Sequence, residues 1–203
     1  MRLTANLRLL LILSAVLSLT SCKKEKDTLD PGTNSIIGDY NFVGNTASTY
    51  SSVTVSSYGS ELRAVTVSDY ITQNNVGTAK ITASDIIFIG VGYSIDTTEN
   101  VKTYEDGVLS DDFDLPYVLT APPTGSTNPY TRINNDSLTV IGALGAPNPS
   151  GVTPTGPVGV KISWSGDTLL LKIVSSFTQN ISQGGVPGTL TGFVNGVAKL
   201  KKR

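Results

Sequence analysis

The chain has no histidine at all and only one cysteine, one tryptophan and one methionine among its 203 residues. Without histidine there is no Ser-His-Asp or Cys-His nucleophilic arrangement, no common zinc site and no ordinary proton carrier near neutral pH. With Cys22 as the single cysteine, no disulfide can form within the chain. Charged residues are also scarce, at 15%, and no long basic stretch is interleaved with aromatics, so nucleic acid is excluded as a partner. The clustered cations sit at the two ends, Lys23, Lys24 and Lys26, then Lys199, Lys201, Lys202 and Arg203, where they read as solubilising groups. Neither a Gly-x-x-x-x-Gly-Lys nor a Gly-x-Gly-x-x-Gly phosphate loop occurs. Beyond residue 35, no stretch has apolar residues at helical spacing long enough for a helix.

What is present begins with Arg2 and Arg8 around an almost wholly apolar run over residues 9–19. That run is too short for the ~20 apolar residues of a membrane-crossing helix and fits the core of a secretory signal. It ends in Leu19-Thr20-Ser21-Cys22, which resembles the lipobox of bacterial lipoproteins. The resemblance implies cleavage between Ser21 and Cys22, diacylation of the Cys22 sulfur and, usually, acylation of its new amine. Each buried CH₂ is worth about 0.8 kcal/mol, so two or three palmitate-like chains would anchor the protein to a membrane essentially permanently. A lipidated Cys22 also leaves no thiol chemistry. Removing residues 1–21 takes away Arg2 and Arg8 and moves the formal charge from −1 to −3. The remainder is long enough for a single core that buries roughly 70% of the unfolded surface.

Residues 22–35 are polar, contain Pro31 and Gly32, and read as a flexible tether. The run Lys23-Lys24-Glu25-Lys26-Asp27 resembles the charged stretch of Bacteroidetes lipoproteins, where it can direct export to the cell surface. Nothing after Cys22 resembles the aspartate that retains enterobacterial lipoproteins at the inner membrane. The expected location is therefore the outer membrane, in either leaflet.

Residues 36–203 read as a single all-β domain. Val160, Ile162 and Trp164 alternate with Lys161, Ser163 and Ser165, a second alternating run starts at Leu169, and Ser165-Gly166-Asp167 between them marks a hairpin. Further strands are expected over 36–43, 51–57, 62–71, 79–83, 86–95, 101–104, 113–119, 138–141 and 190–200. Ten or eleven short strands predict an antiparallel barrel, with an open sandwich as the alternative. Gly90 with Gly92, and Gly192 with Gly196, suit strands that bend sharply, which favours a closed barrel. The run 86–95 is apolar on both faces and predicts a strand covered on both sides. Residues 121–129, 143–159 and 182–188, rich in Pro, Gly, Ser, Thr and Asn, read as long connections outside the ladder.

Ile36-Ile37-Gly38-Asp39-Tyr40 at the first strand, following a lipobox, resembles the lipocalin-like lipoproteins of the Bacteroidetes. Lipocalins open with Gly-x-Trp, whose ring plugs the closed end of the barrel, and here Gly38 and Tyr40 match with tyrosine in the place of tryptophan. Trp164 and its hairpin are similar to strands near the end of such domains. The resemblance implies a lipocalin-like barrel that Gly38, Tyr40 and Trp164 help to close or line, and a small apolar or amphipathic ligand.

Acidic residues gather at Asp96, Glu99, Glu105, Asp106, Asp111, Asp112 and Asp114. They read as a solvated hairpin with charged turns. Calcium is the alternative, though the run from Asp96 places Val101 where an EF-hand loop needs glycine. A carboxylate pair of the glycosidase type is the remaining catalytic option. The expectation is a non-enzymatic binding protein with no cofactor. Its rival is a structural or adhesion module that contacts polysaccharide or protein at the cell surface.

Overall fold

The computed structural model describes residues 35–57, 59–142, 144 and 156–203, without the side chain of residue 183. Residues 1–21, Ser21 and Cys22 at the expected cleavage site, and residues 22–34 of the tether lie outside the described residues, as do 143 and 145–155 of the longest connection. Ile36–Arg203 forms a compact unit.

Among the described residues the unit is all-β, a single antiparallel sheet of nine strands in a barrel-like ring. The strands are β1 (Gly38–Ser57), β2 (Ser60–Ile71), β3 (Gln73–Ile81), β4 (Asp85–Glu105), β5 (Val108–Asn134), β6 (Ser137–Ile141), β7 (Pro157–Ser165), β8 (Thr168–Gln183) and β9 (Val186–Lys202). Each strand after β3 pairs with the next, and β9 returns to β1, so first and last strands close the ring. β2 and β3 share the same two neighbours, β1 and β4, and run in the same direction. They act as one long strand interrupted at Thr72. There the Thr72 N–H donates to the Asn45 carbonyl at 2.9 Å, and the Asn45 N–H donates to Thr72 Oγ1 at 2.7 Å. One backbone bond and one bond to the Thr72 hydroxyl thus stand in for the regular ladder at the interruption.

Strand lengths divide the ring into two unlike halves. β6 and β7 are short, and β5 pairs with β6 only from Tyr130 onward, while β8 pairs with β7 only from Thr168 to Ile173. One half is therefore closed. In the other, β8-β9-β1-β2-β4-β5 continue as a sheet in which, among the described residues, no strand pairs with the outer edges of β5 over 108–129 or of β8 over 174–183.

The closed half is filled with apolar side chains. Tyr40, Ile81, Ile86, Leu138, Val140, Val160, Leu169, Leu171 and Leu200 are all almost fully buried in one cluster, contributed by β1, β3, β4 and β6 to β9 at period two, with Tyr130 of β5 packed against it. Each such side chain is worth about 1.5–3 kcal/mol on burial. The alternate positions Asp39, Asn41, Lys80, Lys161, Lys172 and Lys201 are exposed.

Several expectations need correction. Nine strands replace ten or eleven, because 36–43 joins 51–57 in β1 and 86–95 joins 101–104 in β4; the polar residues between them still pair on both sides, as Ser48 does with Asp69 and Asn195. Residues 121–129 are not a loop but part of β5, with Ala121 opposite Tyr93 and Pro129 opposite Asp85. Proline is tolerated there because the outer edge of β5 makes no ladder bonds, and Pro122 and Pro123 fall at a register shift. Residues 182–188 are likewise strand except for the two-residue turn Gly184-Gly185, whose φ angles of +58° and +85° suit glycine in a tight hairpin. Pro157, Val158 and Gly159 open β7. The outer face of 86–95 is open, with Ile89 55% exposed.

Candidate functional site

Tyr40 and Trp164 meet at the base of the closed half, with ring centroids 6.4 Å apart and planes at 37°. The Tyr40 hydroxyl donates to the Ile36 carbonyl at 2.6 Å, and burial pushes its pKa up to about 12. A Cβ on Gly38 would lie 3.7 Å from the Tyr40 ring, an ordinary contact, so space alone does not demand glycine there. Tyr40 is fully buried and Trp164 packs against the same cluster, so both rings belong to the packed core of the closed half.

The acidic residues divide by face. Asp106 sits in the β4–β5 turn with φ +48° and accepts from the Glu61 N–H at 2.8 Å. Asp112 accepts from Asn100 Nδ2 at 2.9 Å and lies 3.3 Å from Lys102 Nζ; the Asn100 bond first, then Lys102, holds its carboxyl below the usual range. These are exposed contacts: those of Asp112 tie β4 to β5, and that of Asp106 ties the β4–β5 turn to β2. Among the described residues, no group of three or more acidic, cysteine or histidine side chains is placed to hold a metal ion.

Glu99 differs. Residues directly opposite in a ladder share a face, and Glu99 lies opposite Ser68 of β2 and Leu115 of β5. This face continues the interior of the ring into the open half. It carries a second buried cluster of Ala47, Tyr70 and Ile95, against which Tyr93, Tyr117, Leu119 and Val194 pack. Tyr70 and Tyr93 both have raised pKa values, Tyr93 to about 12, from burial and then from neighbouring tyrosine hydroxyls. Tyr117 is raised by burial and then by the charge of Glu99. Burial in turn pushes the Glu99 carboxyl above its usual range. Glu99 Oε1 and Ser68 Oγ are both buried without a hydrogen-bond partner among the described residues. Further along the same face, Phe113 and Leu115 remain 41% and 46% exposed although they point inward.

A groove of about 650 Å³ crosses β8, β9, β1, β2, β3 and β4. Its lining is mixed, with polar Ser48, Asp69, Asp96 and Asn195 on the opposite side of the sheet beside Ala47 and Tyr70.

Sequence reasoning singled out Gly38, Tyr40 and Trp164 but missed Tyr70, Tyr93, Tyr117 and the special position of Glu99. The available signal was the inward alternation Tyr93, Ile95, Thr97, Glu99, Val101, obscured by register shifts near Gly90 and Gly92. The chain matches no family model, no curated protein and no solved structure.

Proposed function

We propose that the protein is a non-catalytic, lipid-anchored envelope lipoprotein of the outer membrane that binds a small amphipathic ligand. The binding surface is the inward face of the open half. The observation that carries this reading is the pairing, on one face, of a buried carboxyl oxygen at Glu99, partnerless among the described residues, with inward-pointing yet exposed Phe113 and Leu115. A packed core has no reason to leave either unsatisfied, whereas an amphipathic guest would cover both. The lipocalin-like resemblance supports the same role through its closed ring and its Tyr40–Trp164 contact.

A second reading is favoured by the groove, whose hydroxyl, amide and carboxylate groups suit a polysaccharide or protein strand at the cell surface. The two separate in one experiment. The Ile36–Arg203 domain, secreted to a bacterial periplasm and sprayed intact under native conditions, is expected to carry a reproducible added mass that denaturation releases. A bare mass with no uptake from a lipid panel, together with uptake from a glycan panel, would move the function to the groove. The anchor is tested separately, by the loss of palmitate labelling and of membrane association in Cys22→Ala.

A further inference from the structure

We infer that the ligand of the inward face carries an organic cation, an alkylammonium-type head group that docks against Glu99 and the tyrosine rings beside it. The inference rests on the binding role proposed above and names the chemistry of its ligand. A carboxylate can only accept hydrogen bonds, and a buried one without a donor is costly. Glu99 Oε1 has no such donor among the described residues. Nor does the sheet supply a cation from within. The inward neighbours of Glu99 across and along the ladder are Ser68, Thr66, Thr97, Val101, Leu115 and Tyr117, none of them basic. The nearest lysine in sequence, Lys102, is on the other face and lies against Asp112.

Ser68 Oγ, opposite Glu99, is a second buried polar atom without a partner, so two hydrogen-bonding atoms on neighbouring strands both await one group. Tyr117 lies close enough to Glu99 to feel its charge, Tyr93 and Tyr117 both act on Tyr70, and Tyr117 acts on Tyr93, so the three rings sit side by side. Tyrosine faces attract cations through their negative quadrupole. Leu115, opposite Glu99, and Phe113, opposite Val101, extend an exposed apolar strip along β5 that would take the alkyl chain. An anionic head would meet Glu99 unfavourably, and a neutral hydroxyl head would donate to it but leave its charge uncompensated.

The test uses three amphiphiles with the same ten-carbon chain, decylammonium, decyl glucoside and decyl sulfate, titrated below micelle formation into Ile36–Arg203 by calorimetry. Decylammonium is expected to bind about tenfold or more tightly than decyl glucoside. Glu99→Gln, which keeps the shape of the side chain, is expected to erase that preference. Circular dichroism and the urea unfolding midpoint of the variant serve as the folding control. Equal affinity for the three, or a preference that survives in Glu99→Gln, overturns the cationic head group and leaves the binding role standing. No binding of any of them overturns both.

Discussion

The two halves of the ring share the strands β1, β4, β5, β8 and β9, yet one is filled with buried side chains and the other is not. In the closed half, eight strand segments surround a cluster in which Tyr40, Ile86, Leu169, Leu171 and Leu200 are fully buried. In the open half only three residues, Ala47, Tyr70 and Ile95, form a buried cluster, and the strands at the two margins have outer edges that no described strand pairs with. Stability therefore resides in the first half and adaptable surface in the second. A strand that passes through both, as β1, β4, β5, β8 and β9 do, connects the packed half to the open face on which the proposed ligand would lie.

The sharpest way to break this division is at the junction. Gly77 has φ +102°, and a Cβ there would stand 2.5 Å from the backbone oxygen of Gly90. Gly77→Ala combines backbone strain with a backbone clash, and should cost about 3 kcal/mol or more in urea unfolding. Next is Leu171→Ala in the closed half, expected to cost about 2–5 kcal/mol, set against Leu115→Ala in the open half, expected to change stability by less than about 1 kcal/mol. Similar losses from the two leucines would erase the distinction. A smaller effect is expected from Tyr40→Phe, about 1 kcal/mol, because the buried Ile36 carbonyl loses its donor while the ring contact with Trp164 remains.

The subtlest prediction concerns pH. The folded-state pKa of Glu99 is raised by burial, so the folded protein holds this proton more tightly than the unfolded chain. Its contribution is then fully present below the unfolded value of about 4.5 and declines as pH rises through the folded value. Unfolding curves of wild type and Glu99→Gln should converge at low pH and separate above it, with the variant more stable. Separation in the opposite sense would place a compensating donor on Glu99.

The closed half was largely legible in the sequence because its signals are local. Val160, Ile162 and Trp164 alternate cleanly, and Gly166 marks the turn to Leu169. Tyr40 and Trp164 were singled out from separate strands and do meet. The open half was harder to read, for two physical reasons. β5 makes ladder bonds on one side only through 108–129, so it accepts Pro116, Pro122, Pro123 and Pro129 that would break a central strand, and its composition looks like a loop. The face around Glu99 joins residues from β1, β2, β4 and β5, and register shifts near Gly90 and Gly92 disturb the alternation that would have placed them on one side. Glu99 itself was hidden among seven acids, of which Asp112 and Asp106 serve only to tie strands and turns together.

Amide hydrogen exchange, resolved by residue on Ile36–Arg203, tests the division most directly. Amides of Leu171, Ala198 and Leu200 should exchange only through global unfolding. Those over 109–127 of β5 and 174–183 of β8 that face the outer edges should exchange orders of magnitude faster and slow when decylammonium is added. Uniform protection across both halves, unaltered by any amphiphile, would contradict the account.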